Sequence, residues 1–183
     1  VEKMAAKAPA GSTFIFYYAG HGVNRARKGI FFASYDIRVK DAEGSGISPR
    51  EIGNIIARNF GGSKVLLLAD CCYSGALQET ARRLNRGGKT ALALTSASAS
   101  NTSAGSWTFS QTLIDAISGR ALLDRDNDGR ITFGELSEDI ADAMKSRERQ
   151  LSGSFLPRGM KDAVVSVTKG SYAGRISSGA FSV

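Results

Sequence analysis

A chain of 183 residues with 42% apolar and 22% charged residues is long enough for one domain with a substantial core, and too apolar to be disordered throughout. The net charge of +7 admits an anionic partner. However, the basic residues are spread along the chain, with one small cluster at Arg25-Ala26-Arg27-Lys28 and no RNA-binding aromatic motif, so no nucleic-acid partner is expected. No apolar run reaches membrane-spanning length, no signal peptide opens the chain, and two adjacent cysteines give neither a disulfide framework nor zinc-ligand spacing.

In chain order, residues 1–12 read as the tail of a helix and a turn. The aromatic and β-branched run Thr13-Phe14-Ile15-Phe16-Tyr17-Tyr18 predicts a strand that stops at Ala19-Gly20-His21-Gly22. Gly29–Ala33 predicts a short strand, followed by a polar loop through Gly46. Ser48-Pro49-Arg50-Glu51 is a capping box with proline at the first helical position. Ile52, Ile55, Ile56 and Phe60 then follow at helical spacing, and Gly61-Gly62 closes the element. The uninterrupted run Val65-Leu66-Leu67-Leu68-Ala69 fits a parallel strand covered on both faces. A helix from Ala76 to Leu84, a buried strand over Thr90–Leu94 and a small-polar loop over 95–106 come next. A helix over Thr108–Ile117 follows, then an acidic loop, a helix with Leu136, Ile140 and Met144 inward, and a last strand over Ala163–Val167. The alternation of elements is α/β, with a mostly parallel sheet flanked by helices.

Chemistry collects where two of these strands end. The only histidine, His21, follows the first strand, and the only cysteines, Cys71 and Cys72, follow the Lys64–Ala69 strand. In open α/β sheets the working residues stand just past the carboxyl ends of parallel strands. A cysteine nucleophile needs a base, because the attacking species is the thiolate, and a histidine on a neighbouring strand end can take and return that proton. Two buried thiols acting as small hydrophobes is the competing reading at this point.

The segments Tyr17-Tyr18-Ala19-Gly20-His21-Gly22 and Asp70-Cys71-Cys72-Tyr73-Ser74-Gly75 together resemble the caspase-like cysteine peptidases. They are most similar to the metacaspase branch and its bacterial relatives. The roughly 50-residue spacing from histidine to cysteine is the one caspases show. The resemblance implies a caspase-hemoglobinase fold and an endopeptidase in which His21 is the general base and acid and Cys72 the nucleophile. It also implies an oxyanion hole from the N–H groups of Gly22 and Cys72. Asp70 matches the acid at the base of the metacaspase specificity pocket, which implies polypeptide substrates cut after Arg or Lys. Two residues depart from the family pattern, Tyr73 in place of histidine and Ala19 in place of serine. The family fold also begins with a strand and helix ahead of the histidine strand, so the chain is expected to lack the N-terminal part of that fold. The expected compartment is the cytoplasm.

Asp124-Arg125-Asp126-Asn127-Asp128-Gly129-Arg130-Ile131-Thr132-Phe133-Gly134-Glu135 fits the EF-hand loop at every keyed position. Asp124, Asp126, Asp128, the Arg130 carbonyl, Thr132 and Glu135 are the candidate ligands, and Ca2+ is the expected ion. Leu122-Leu123 and the stretch from Leu136 should supply the flanking helices. The expected organisation is therefore a caspase-like domain over 1–170, with an EF-hand-like helix-loop-helix inserted at 120–145, and a flexible tail over 171–183. A catalytically inactive homologue serving as a calcium-binding interaction module is the alternative. Arg82-Arg83-Leu84-Asn85-Arg86-Gly87-Gly88-Lys89 reads as a solvated helix end, with self-cleavage as a sharper possibility. Trp107 is either a core anchor or a wall of the peptide cleft.

Overall fold

The computed structural model describes residues 1–100 and 106–169. The expectations for part of the 95–106 loop and for the tail fall outside these residues. The elements begin with α1 (Glu2–Lys7), β1 (Thr13–Ala19), β2 (Gly22–Arg25), β3 (Gly29–Ala33), α2 (Ala42–Ser45), β4 (Gly46–Ile47), α3 (Pro49–Asn59) and β5 (Lys64–Asp70). They continue with α4 (Leu77–Arg86), β6 (Thr90–Thr95), α5 (Thr108–Ile117), β7 (Arg130–Thr132), α6 (Phe133–Glu148), β8 (Gly153–Phe155) and β9 (Val164–Val167).

The protein is an α/β fold around a mixed, mostly parallel sheet in the order β1-β5-β6-β8. β1, β5 and β6 run parallel, and β8 closes the far edge antiparallel to β6. Alternation along β5 explains its unbroken apolar run. Val65, Leu67 and Ala69 face one core, with Ile52 and Ile56 of α3 and Leu77, Ala81 and Leu84 of α4. Leu68, with Leu66 against it, faces a second core built from Phe109, Leu113 and Ala116 of α5 and Leu136, Ile140 and Met144 of α6. A strand sandwiched this way has no polar face to present. The α3 start shows the N-cap half of the expected capping box: Ser48 accepts from the Glu51 amide at 3.1 Å, with Pro49 at the first turn.

Several short elements differ from expectation. β2 pairs with β3, and β3 with β4, as a separate antiparallel sheet. The final strand, β9, does not join the central sheet but pairs with β7 in the acidic loop. The helix after the cysteines starts with one 3-10 turn over Ser74–Ala76 and runs to Arg86. Ahead of the acidic loop, Ala121–Leu123 forms only a 3-10 turn, so α5 is the incoming helix and it ends four residues before that turn, at Ile117. None of β2, β4, β7 or β8 exceeds four residues, too few for periodicity to reveal.

Candidate active site and acidic loop

The register of the central sheet brings the two motifs together. Ala19 of β1 is paired with Asp70 of β5, and the Gly20 amide extends the ladder by donating to the Asp70 carbonyl at 3.2 Å. The residues that follow each strand, His21-Gly22 and Cys71-Cys72, therefore leave the same edge side by side. Gly22 then lies directly on the Cys72 carbonyl group, in a space that any Cβ would fill. Glycine is required there by close backbone approach.

The alternation that builds the core also separates the two thiols. Cys71 continues the row Val65, Leu67, Ala69 and is 1% exposed within the same cluster. Burial, and secondarily the neighbouring Cys72 and Asp70 charges, pushes its thiol far above the ordinary range, so it stays protonated and inert. Cys72 falls on the other side of the turn and is partly exposed. The next residue, Tyr73, holds a left-handed backbone at φ 60°, a conformation a non-glycine residue adopts at some cost, and it opens the 3-10 turn that begins at Ser74. Ser74 is fully buried; its hydroxyl accepts from the Ala97 amide at 3.0 Å, and its own amide donates to the Cys71 carbonyl at 3.3 Å. The turn that carries Cys72 is thus tied to the end of β6.

His21 is exposed, between β1 and β2. Its carbonyl accepts from the Ala33 amide at 2.9 Å, and the Tyr18 hydroxyl lies 2.9 Å from the same oxygen and 3.0 Å from the Ala33 carbonyl. The Tyr18 ring stacks on Phe32, with centroids 4.9 Å apart and planes within 5°.

Asp70 is 7% exposed and anchored at the start of α5. Its Oδ2 accepts from the Ser110 amide at 3.2 Å and the Ser110 hydroxyl at 2.6 Å. Because the Ser110 proton goes to the carboxylate, the Tyr17 hydroxyl, 2.8 Å from Ser110 Oγ, is the donor in the next link. Trp107, at the N-cap of α5, offers no side-chain cap and holds φ at 58°. The helix instead takes two carboxylates from elsewhere: Asp70 at Ser110, and Glu148, whose Oε1 accepts from the Thr108 amide at 3.3 Å. Both are favourable beside the positive end of the helix dipole. Trp107 is 57% exposed, which rules out a core anchor. Tyr17, Tyr18, Ser110 and Glu148 were not singled out from the sequence.

In the acidic loop, carboxylate oxygens of Asp124, Asp126 and Asp128 lie within 4.8 Å of one another, a group able to hold a metal ion. Asp124 is buried and accepts from the amides of Asp128 at 3.0 Å and Gly129 at 2.9 Å. Gly129 has φ 88°, the sharp turn its position demands. The other three candidates stand differently. Thr132 and Glu135 form a capping box that starts α6, and Arg130 lies in β7, paired with Val167. Both Glu135 oxygens are engaged, one by the amides of Arg125 (2.7 Å) and Asp126 (3.4 Å), the other by the amide (2.8 Å) and hydroxyl (2.9 Å) of Thr132. Burial alone raises the Glu135 carboxyl, but these donors outweigh it and hold it below the ordinary range. Arg125 links the loop to α6 through Asp139 at 2.8 Å and Asp142 at 2.5 Å. Hard oxygen ligands of this kind suit a divalent cation.

The basic stretch after the cysteines is the end of α4, through Arg86, and the turn that leads from it to Lys89. Arg83 and Arg86 pair with Glu79 at 3.4 and 2.8 Å, and the Lys89 ammonium donates to the Phe60 and Gly62 carbonyls at 2.7 and 2.8 Å. Among the described residues no helix is long and apolar enough to cross a membrane. No protein-family model matches the chain, and no curated protein matches it.

Proposed function

We propose that this chain is a caspase-like cysteine endopeptidase domain that cuts after Arg or Lys. The observation that carries the reading is the close packing of Gly22 on the Cys72 carbonyl, at the matched ends of two parallel strands. It sets the residue after the sole histidine against the backbone of the one cysteine outside the core.

In this reading His21 takes the proton from Cys72, and the thiolate attacks the substrate carbonyl. The N–H groups of Gly22 and Cys72 stabilise the negative oxygen of the tetrahedral intermediate. His21 returns the proton to the leaving amine, then activates the water that hydrolyses the acyl-enzyme. Asp70 receives the basic side chain of the substrate, where charge complementarity favours a guanidinium or ammonium. Ca2+ is the ion proposed for Asp124, Asp126 and Asp128, with the Arg130 carbonyl, Thr132 and Glu135 completing the set; when bound it would neutralise the clustered carboxylates and order the loop between α5 and α6.

The test is hydrolysis of a fluorogenic Arg peptide by the full chain with Ca2+, compared with Cys72→Ala. Turnover that disappears in the variant, with Asp-directed peptides ignored, is expected. Turnover that survives Cys72→Ala refutes the assignment.

One observation favours a second reading, an inactive calcium-binding interaction module. Asp70 is buried and already engaged as a helix cap, which a purely structural carboxylate would also be. Iodoacetamide separates the two readings, because an activated Cys72 is alkylated rapidly at neutral pH and an unactivated thiol is not.

A further inference from the structure

We propose that Tyr18 is a positioning residue for His21, acting through its hydroxyl. The inference rests on the reading of His21 and Cys72 as base and nucleophile. The His21 side chain is exposed and lies outside any strand, so its placement depends on the backbone that carries it. What orients it is its backbone, and two donors fix that backbone at one oxygen: the Ala33 amide and the Tyr18 hydroxyl.

Tyr18 is suited to the task in three ways. It is three residues upstream, on the strand whose register sets the site, so it moves with the β1–β5 ladder. Its ring is stacked flat on Phe32, which is fully buried and paired across the hairpin with Gly22, the residue lying on Cys72. Its hydroxyl also lies 3.0 Å from the Ala33 carbonyl, bridging the two chain segments on either side of the hairpin. Burial raises the phenol above its ordinary range, and the hydroxyl is a donor at neutral pH. One proton thus joins strand end, hairpin and histidine. Removing it leaves the ring and its packing while freeing the His21 carbonyl, and an error of about 1 Å in a reacting group can cost about 100-fold in rate.

The test is Tyr18→Phe, with Phe32→Leu as a second variant that keeps the hydroxyl and weakens the stack, and Tyr35→Phe, at a fully exposed tyrosine, as a control. Because His21 is the only histidine, its imidazole resonances report its pKa and environment without ambiguity. Tyr18→Phe is expected to lower kcat on an Arg peptide by about tenfold or more while KM stays within about twofold. It should also shift the His21 titration and move the pH profile of Cys72 alkylation, with Tyr35→Phe unchanged in every measurement. Phe32→Leu should lose thermal stability but keep most of kcat. Wild-type kcat, titration and alkylation profile in Tyr18→Phe overturn the proposal. So does an equal fall in kcat in Phe32→Leu, which would show general loosening. If the wild-type chain neither turns over nor alkylates at Cys72, the peptidase reading itself fails; an active wild type with a silent Tyr18→Phe defeats the positioning role alone.

Discussion

Gly22 rests on the carbonyl group of Cys72 with no room for a side chain between them. Gly22→Ala must therefore push the strand ends apart. Overpacking of this kind typically costs about 1–3 kcal/mol, and here the strain falls between the His21 and Cys72 segments. The variant should melt several degrees lower in calorimetry and lose rapid Cys72 alkylation; wild-type behaviour in both would show that the two segments are not tightly packed.

Ser110 supplies both donors to Asp70 Oδ2, one of them its hydroxyl. Ser110→Ala leaves the buried carboxylate with the amide alone. Hydrogen bonds to charged groups contribute about 1.5–3 kcal/mol, so denaturant unfolding should show a loss of that order. Tyr17→Phe, which removes the outer link, should cost less. A Ser110→Ala loss no larger than that of Tyr17→Phe would count against the anchoring of Asp70.

The two thiols should behave as opposites. Peptide mapping after brief iodoacetamide treatment at neutral pH is expected to find label on Cys72 and none on Cys71, which reacts only after unfolding. Burial raises the Cys71 thiol above its ordinary value of about 9 in the folded state. Below that value both states keep the proton and the stability is fully present. As pH rises beyond it, the unfolded thiol ionises first, and stability falls until the folded pKa is passed. Cys71→Ala should flatten this alkaline decline in melting temperature; an unchanged decline would assign it to other groups.

The acidic loop predicts a melting temperature that rises with added Ca2+ and falls back with chelator, because a ligand that binds only the folded state stabilises it by mass action. Asp124→Asn, at the buried member of the cluster, should abolish the rise. A calcium response retained in that variant would place the ion elsewhere.

The sole tryptophan gives a direct optical test. Trp107 is more than half exposed at the N-cap of α5. Its emission should lie at the long wavelengths of a hydrated indole and be quenched efficiently by acrylamide. A blue, protected emission would contradict this placement.

Much of this architecture was legible because physics repeats along the chain. The unbroken apolar run from Val65 to Ala69 fits a strand covered on both faces, and Ser48-Pro49-Arg50-Glu51 is a strong helix start. The two thiols were ambiguous until the β5 alternation was extended one step beyond the strand, which sends Cys71 inward. What stayed hidden depended on distant partners. The capping of α5 by Asp70 and Glu148 joins residues 40 apart in sequence, and nothing local to Trp107-Thr108 announces it. The pairing of β7 with β9 is hidden for the same reason, since three residues of an acidic loop carry no strand signal of their own.

The matched register of β1 and β5 means that the number of residues between His21 and Cys72 is not what holds them together. The chain between them wanders through a hairpin, a short helix and α3 before returning. Residues could be added to the 34–41 connection without moving either side chain. Deleting one residue inside Lys64–Asp70 would instead exchange the roles of inward and outward positions, and send the core thiol of Cys71 to the surface in place of Cys72.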